Sequence, residues 1–302
     1  MRPWLSHTLP RSAYFRLMEH QRKIKVPSYE PDIPLILFIS FSRVAAGLSV
    51  LSVFFADSLL WTSIALGCMM VATLASISHL SVPLLFFKMI RNNRSYIVWE
   101  IRLAGALTTF LGLQCLSGLG WFQGLRFLFP WINFSLAILF LVSTGWAYRF
   151  ETHPAWRTTI LPFYYSVSAL MIGLALRSIE SPSHLLPLFY TFLLVAQGVC
   201  LMLYRKHLAL TSPTSLKKVV TEKEKWLFLA FLWTTLLLPA LVTFTLFLEE
   251  NWNGLNLVLA GSCLAGIFLE RVLFFWVERP VYFLSFIENS QANGKNPSWI
   301  RG

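Results

Sequence analysis

The chain is 302 residues long, 56% hydrophobic and 13% charged, where an ordinary soluble domain is about 45–50% apolar and about a quarter charged. A mean hydropathy of +0.61, with 12 Trp, nine Tyr and 26 Phe to furnish the two edges of a bilayer, excludes a lone soluble fold. The net charge of +11 does not point to nucleic acid, because the basic residues fall in short stretches between long apolar runs and form no single soluble patch.

The first 33 residues lack an apolar h-region and a small-residue cleavage site, so they do not read as a cleavable signal peptide. Trp4 to Val26 mixes aromatic and basic residues around Tyr14, Phe15, Leu17 and Met18, which fits either a helix lying in the cytoplasmic interface or a solvated arm. Eight apolar stretches then follow, near Pro34 to Ala56, Trp61 to Phe87, Ile97 to Leu119, Phe127 to Tyr148, Ile160 to Ile179, Leu185 to Tyr204, Leu227 to Leu248 and Leu255 to Phe283. Each has the roughly 17 to 25 residues that a helix needs to cross hydrocarbon. The breaks between them are short and polar, as at Ala56-Asp57-Ser58, Glu180-Ser181-Pro182-Ser183 and Glu249-Glu250-Asn251-Trp252-Asn253, so consecutive helices are expected as antiparallel neighbours. The predicted fold class is all-α, a polytopic bundle of eight transmembrane helices over residues 34–284, with an N-terminal segment 1–33 and a tail 285–302.

The distribution of Lys and Arg orients this bundle. One side receives Arg2, Arg11, Arg16, Arg22, Lys23 and Lys25, then Lys88, Arg91 and Arg94, then Arg149 and Arg157. The same side gains Arg205, Lys206, Lys217, Lys218, Lys223 and Lys225, and finally Arg279, Lys295 and Arg301. Only Arg126 and Arg177 fall near the other side. The positive-inside rule therefore predicts both termini in the cytoplasm of a bacterial inner membrane.

The remaining candidates are polar groups inside the bilayer, where a charge costs at least about 2.5–3.5 kcal/mol on insertion scales. They are Arg43 in the first span, His79 in the second, Glu100 and Arg102 at the start of the third, and Glu270 and Arg271 in the eighth. His79 is the one histidine inside a predicted span, too few imidazoles for a bis-histidine haem. Cys68, Cys115, Cys200 and Cys263 lie far apart in apolar runs with no C-x-x-C pair, which excludes a zinc ribbon or a cysteine-ligated iron–sulfur cluster in this chain and makes them small core residues. No metal is expected.

His79 and Glu100 both fall toward the cytoplasmic end of an antiparallel pair, at 1.5 Å rise per residue. A neutral imidazole and a carboxylate at one lipid-facing cleft can accept the hydroxyl protons of a quinol as its electrons leave. The plainer alternatives are a helix-end His79 bonded to a backbone carbonyl and a Glu100 paired with Arg102 or Arg94. Arg43, Glu270 and Arg271 read as a mutually neutralising intramembrane network, and the basic loop Lys88, Arg91 and Arg94 as a docking face for a protein partner.

These residues carry a resemblance. The run Ala75-Ser76-Ile77-Ser78-His79-Leu80-Ser81-Val82-Pro83, followed by Trp99-Glu100-Ile101, resembles the His-Leu-Gly-x-Pro and Glu-Ile pattern of the membrane anchor subunit of dimethyl sulfoxide reductase. Pro34-Leu35-Ile36-Leu37-Phe38 leading to Ala46-Gly47, Tyr148-Arg149 with Pro154-Ala155-Trp156, and Leu264-Ala265-Gly266 with Arg271-Val272-Leu273-Phe274-Phe275 are similar to further segments of that family, in order. The sequence departs from it at Ser81, Leu84-Leu85, Arg43 and Ile267, where the family usually has Gly, Arg-Ala, Gln and Glu. The resemblance implies a subunit with no redox centre and no complete active site of its own. It would draw menaquinol from the quinone pool and pass electrons to a four-cluster iron–sulfur subunit that feeds a molybdopterin catalytic subunit. By position it implies His79 and Glu100 as quinol ligands and proton acceptors, with Arg102 beside them and Pro83 shaping the helix exit. The other class considered is a secondary transporter with an internal Arg/Glu site, whose usual paired broken helices and two-fold repetition are not visible in the sequence. A lipid-modifying enzyme would want an acidic or histidine cluster on a loop, and the loops are basic or nearly bare.

Overall fold

The computed structural model describes residues 33–55, 58–79, 96–148, 158–180, 185–211, 222–248 and 253–277, except the side chains of 79, 222–224, 253 and 275–277. In chain order these form α1 (Ile33–Leu51), α2 (Leu59–His79), α3 (Tyr96–Gly118), α4 (Leu128–Ala147), α5 (Ile160–Glu180), α6 (Leu186–Thr211), α7 (Glu222–Leu232), a π-helical turn (Trp233–Leu237), α8 (Leu238–Leu248) and α9 (Asn253–Val277). The segments α7, π turn and α8 run on as one rod. Among the described residues eight helices are thus long and apolar enough to cross a membrane, and there is no strand. The described part is an all-helical, multi-pass membrane bundle, and every described residue belongs to one packed unit.

Cross-helix bonds establish the alternating up-and-down order. Ser143 Oγ near the end of α4 donates to the Tyr96 carbonyl at the start of α3 (3.4 Å), while Asn133 Nδ2 near the start of α4 donates to Gln114 Oε1 near the end of α3 (2.7 Å). Ser58 Oγ, just before α2, reaches Glu180 at the end of α5 (3.3 Å), and Asn256 Nδ2 at the start of α9 reaches the Ser178 carbonyl (2.9 Å). One end of the bundle therefore gathers the starts of α1, α3, α5 and α7 with the ends of α2, α4, α6 and α9.

The helix α1 sits against α2, α4, α5 and α9, and α5 against α1, α4, α6 and α9. Their close approach is set by small residues, the general device for packing helices in lipid. A Cβ on Gly47 would overlap the Ala169 carbonyl oxygen, and one on Gly173 would lie 2.6 Å from the Gly47 carbonyl carbon. Gly145 of α4 leaves the same kind of space for Pro162 of α5.

Helix ends follow local chemistry. After α3 the chain turns through Gly120 at φ +100, with the Trp121 amide bonded to the Leu116 carbonyl and the Gly120 amide to that of Ser117. This is a Schellman stop, and a glycine suits the left-handed position it demands. Pro162 and Pro187 occupy first turns, where no amide hydrogen is missed. Pro239 lies well inside the seventh span, where its ring collides with the carbonyl four residues back and its missing amide leaves that carbonyl unbonded. The helix accommodates it by widening into the π turn directly upstream, and Gly266 of α9 makes room for Thr235 of that turn.

Several sequence-derived boundaries need correction. The first span ends at Leu51, short of Ala56, with turns from Ser52 to Phe54. The second starts at Leu59; its expected continuation to Phe87 lies outside the described residues, as does the last span beyond Val277. The sixth runs on to Thr211, so Arg205 and Lys206 belong to a helix rather than to a loop. With them goes His207, stacked on Tyr204 at 6.5 Å, so that His79 is not the one histidine in a span. Arg177, expected near the far side within the fifth span, lies there, buried in the last turn of α5 with its guanidinium 5.9 Å from the Phe55 ring. Arg126 is exposed, as expected of a loop. Residues 1–32 and the tail from 278 lie outside the described residues.

Candidate functional site

Two groups of polar side chains lie in the half of the bundle where α3 begins and α9 ends. The first joins Arg43 of α1 to Glu270 and Arg271 of α9. Arg43 grips the Glu270 carboxylate with both terminal nitrogens, Nη1 on Oε2 and Nη2 on Oε1. Arg271 Nη2 donates to the same Oε1, and its Nη1 donates to the Tyr165 hydroxyl of α5. The two guanidinium carbons lie 4.1 and 4.2 Å from the centroid of the Tyr165 ring, and that of Arg271 also lies 4.6 Å from Phe274. Both arginines are wholly buried.

This arrangement has a clear cause. An arginine fork and a carboxylate match in geometry, and each donor bonded spares the bundle the desolvation of an open charge. The second guanidinium exceeds what one carboxylate neutralises, and the Tyr165 face supplies cation–π attraction in its place. Tyr164, beside it on α5, faces Glu270 as well and accepts from Gln197 Nε2 of α6 at 3.4 Å. Tyr148 packs edge-on against Tyr165 and Phe274, closing the cluster from α4.

The second group centres on Glu100, one turn into α3. Its side chain is 4% exposed, yet Oε1 has no hydrogen-bond partner among the described residues. Thr144 of α4 lies beside it. Glu100 makes no ion pair with Arg102, which instead lays its guanidinium 5.5 Å over the Trp99 ring. Tyr96 stacks on Trp146 at 6.0 Å, and Tyr96 and Trp99 are exposed on the outside of the bundle. Glu100 is thus buried on the turn of α3 whose neighbouring aromatic residues, Tyr96 and Trp99, are exposed.

The helix α2, packed against α3, closes at His79 at the same end of the bundle. The His79 side chain, Pro83 and the basic residues Lys88, Arg91 and Arg94 lie outside the described residues. Sequence reasoning named the charged members and missed Tyr164, Tyr165, Thr144 and Gln197, because tyrosine, threonine and glutamine are common in apolar helices and nothing local distinguishes these four.

Among the described residues no group of three or more His, Cys, Asp and Glu is placed to hold a metal ion. All four cysteines are free thiols. Compared with protein-family models the chain matches none, and no curated protein matches it.

Proposed function

We propose that the chain is the quinol-oxidising membrane anchor subunit of a molybdopterin oxidoreductase complex of the dimethyl sulfoxide reductase type. The observation that carries this reading is Glu100, a buried carboxylate with an oxygen unpartnered among the described residues, on the turn of α3 whose aromatic neighbours Tyr96 and Trp99 are exposed. A carboxylate kept dry and unbonded is costly, and an incoming hydroxyl group would satisfy it. Oxidation of a quinol to a quinone releases two electrons and two protons. Glu100 takes one proton and His79 the other, while Trp99 and Tyr96 offer flat faces to the ring. The electrons pass to the docked iron–sulfur partner and on to its molybdopterin subunit.

The transporter alternative finds less support. The Arg43–Glu270–Arg271 cluster is closed on itself, and the cavity beside it, lined by Glu270, Gln197 and Thr235, holds about 10 Å³, room for about one water and not for a solute.

The basic side of the bundle is the end where α3 begins, and the positive-inside rule makes it cytoplasmic in a bacterial inner membrane. The partner docks there, around Lys88, Arg91 and Arg94, because a quinol site in this half of the bundle needs its electron acceptor on the same side. Cross-linking from position 91 or 94 captures the iron–sulfur subunit; capture only from position 57 or 250 would refute this docking face. In the assembled complex, Glu100→Gln and His79→Ala each abolish quinol-dependent turnover while an artificial dye still drives the catalytic subunit. Normal quinol oxidation in both variants would refute the assignment.

A further inference from the structure

Three helices bring buried polar groups to one seam at seven-residue intervals. On α6 these are Tyr190 and Gln197; on α9, Asn256, Cys263 and Glu270; on α5, Ser178 and Tyr164 at the two ends of the same stretch. Seven residues are two helical turns, so each series stays on one face and steps about 10 Å along the bundle. The seam starts at the end where α9 begins and finishes at Glu270.

Along it, hydrogen-bonded pairs alternate with small cavities. Asn256 Nδ2 bonds the Ser178 carbonyl at 2.9 Å. A cavity of about 10 Å³ follows, lined by Ser178, Asn256 and Tyr190. The Tyr190 hydroxyl and the Cys263 thiol are then hydrogen-bonded at 2.5 Å. A second cavity of about 10 Å³ is lined by Cys263, Ser168, Gln197 and Glu270. Gln197 Oε1, on a side chain 3% exposed, has no partner among the described residues. A water needs roughly 10–15 Å³ and two to four polar neighbours, and each cavity meets both conditions at their lower limit. The π turn forms part of the second cavity through Thr235, whose hydroxyl bonds the Phe231 carbonyl at 2.5 Å and keeps a lone pair for a water.

We propose that this seam is a water-bearing half-channel that carries protons from the bundle end where α9 begins to Glu270, with one water as the ligand of each cavity. Each hop moves one proton along the file. A water, the Tyr190 hydroxyl and the Cys263 thiol each accept a proton on one side as they release another on the other, so their proton count is unchanged and nothing is oxidised or reduced. The arriving proton rests on the Glu270 carboxylate. Beyond it the Arg43 and Arg271 guanidiniums close the path, since fixed positive charge excludes protons from a narrow file. The half-channel does not depend on quinol being the substrate.

Cys263, midway along the file, is its own reporter. In the full chain with Cys68, Cys115 and Cys200 replaced by alanine, reconstituted in phosphatidylcholine bilayers, the infrared S–H stretching band belongs to Cys263 alone. On transfer to deuterated buffer this band exchanges as fast as the amides at the helix ends. The shape-conserving variant Asn256→Leu, checked for parental thermal unfolding, slows the exchange by roughly tenfold or more, as closing a local water path does, whereas Gln197→Met, which lies beyond Cys263 on the file, leaves it at the parental rate. An S–H band that persists for the lifetime of the core amides would overturn the half-channel and leave a dry polar seam. Equal exchange in the parent and the folded Asn256→Leu variant would overturn it too, because water would then reach Cys263 by another route. Should a variant not fold, the parental exchange rate alone decides.

Discussion

In the centre of the bundle, 72% of the α1 span and 67% of the α5 span are buried, whereas the α3 span at its flank is 28% buried. Both regions hold ionisable side chains out of contact with solvent. Arg43, Glu270 and Arg271 in the centre are bonded to one another and to Tyr165. Glu100 on the flank is as deeply covered, yet carries an oxygen with no partner among the described residues. Depth of burial therefore does not separate a carboxylate that holds the fold from one held ready for a ligand; the bonding of both its oxygens does. Both Glu270 oxygens are bonded to guanidinium groups, whereas Glu100 Oε1 has no partner among the described residues.

Glu270→Ala breaks this comparison most directly. It removes the one acceptor shared by two buried guanidiniums, and loss of one partner from a buried ion pair costs about 3–5 kcal/mol. Thermal unfolding in detergent should show that loss, with Arg43→Ala milder because Arg271 still holds the carboxylate. Parental stability of Glu270→Ala would mean that the centre is held by packing of Gly47 against Ala169 and Gly173 alone.

The Glu100→Gln variant sharpens the contrast from the other side. It keeps the shape of the side chain, leaves an amide that Thr144 can still bond, and removes a buried charge whose Oε1 has no partner among the described residues, so stability should stay within about 1 kcal/mol of the parent or rise. The same variant should lose quinol-dependent turnover. A destabilisation matching that of Glu270→Ala would instead make Glu100 a second structural charge.

The helices and their order are legible in the sequence because lipid imposes one rule, that every backbone group be bonded within its own helix, and the apolar length of each run then reveals it. The ends are less legible. Arg205, Lys206 and His207 look like a loop by charge, but long side chains near the end of a helix reach the interface without ending it. Arg43, Glu270 and Arg271 stand out because charge in an apolar run is rare. Their meeting with Tyr165, and the seam from Asn256 to Glu270, rest on which faces of α1, α5, α6 and α9 turn together. No single helix carries that information, although the seven-residue spacing within α6 and α9 is a trace of it.

The opposite end of α3 offers the smallest and most discriminating test, since there the flank carries a pair that is buried, neutral and bonded. Asn133 Nδ2 donates to Gln114 Oε1 at 2.7 Å, and both residues are shielded from solvent. Alanine at either position removes packing as well as the bond, so single variants would overstate it. A double-mutant cycle cancels the packing part and isolates the coupling. Interhelical hydrogen bonds in bilayers average about 0.6 kcal/mol and reach about 1.7, because the separated helices find other partners for neutral amides. A guanidinium and a carboxylate left apart in hydrocarbon find none so readily, and the Arg43–Glu270 cycle should therefore yield a coupling several times larger than the Asn133–Gln114 cycle. Equal couplings in the two cycles would show that charge adds nothing to the central cluster, and the distinction drawn between centre and flank would then rest on burial after all.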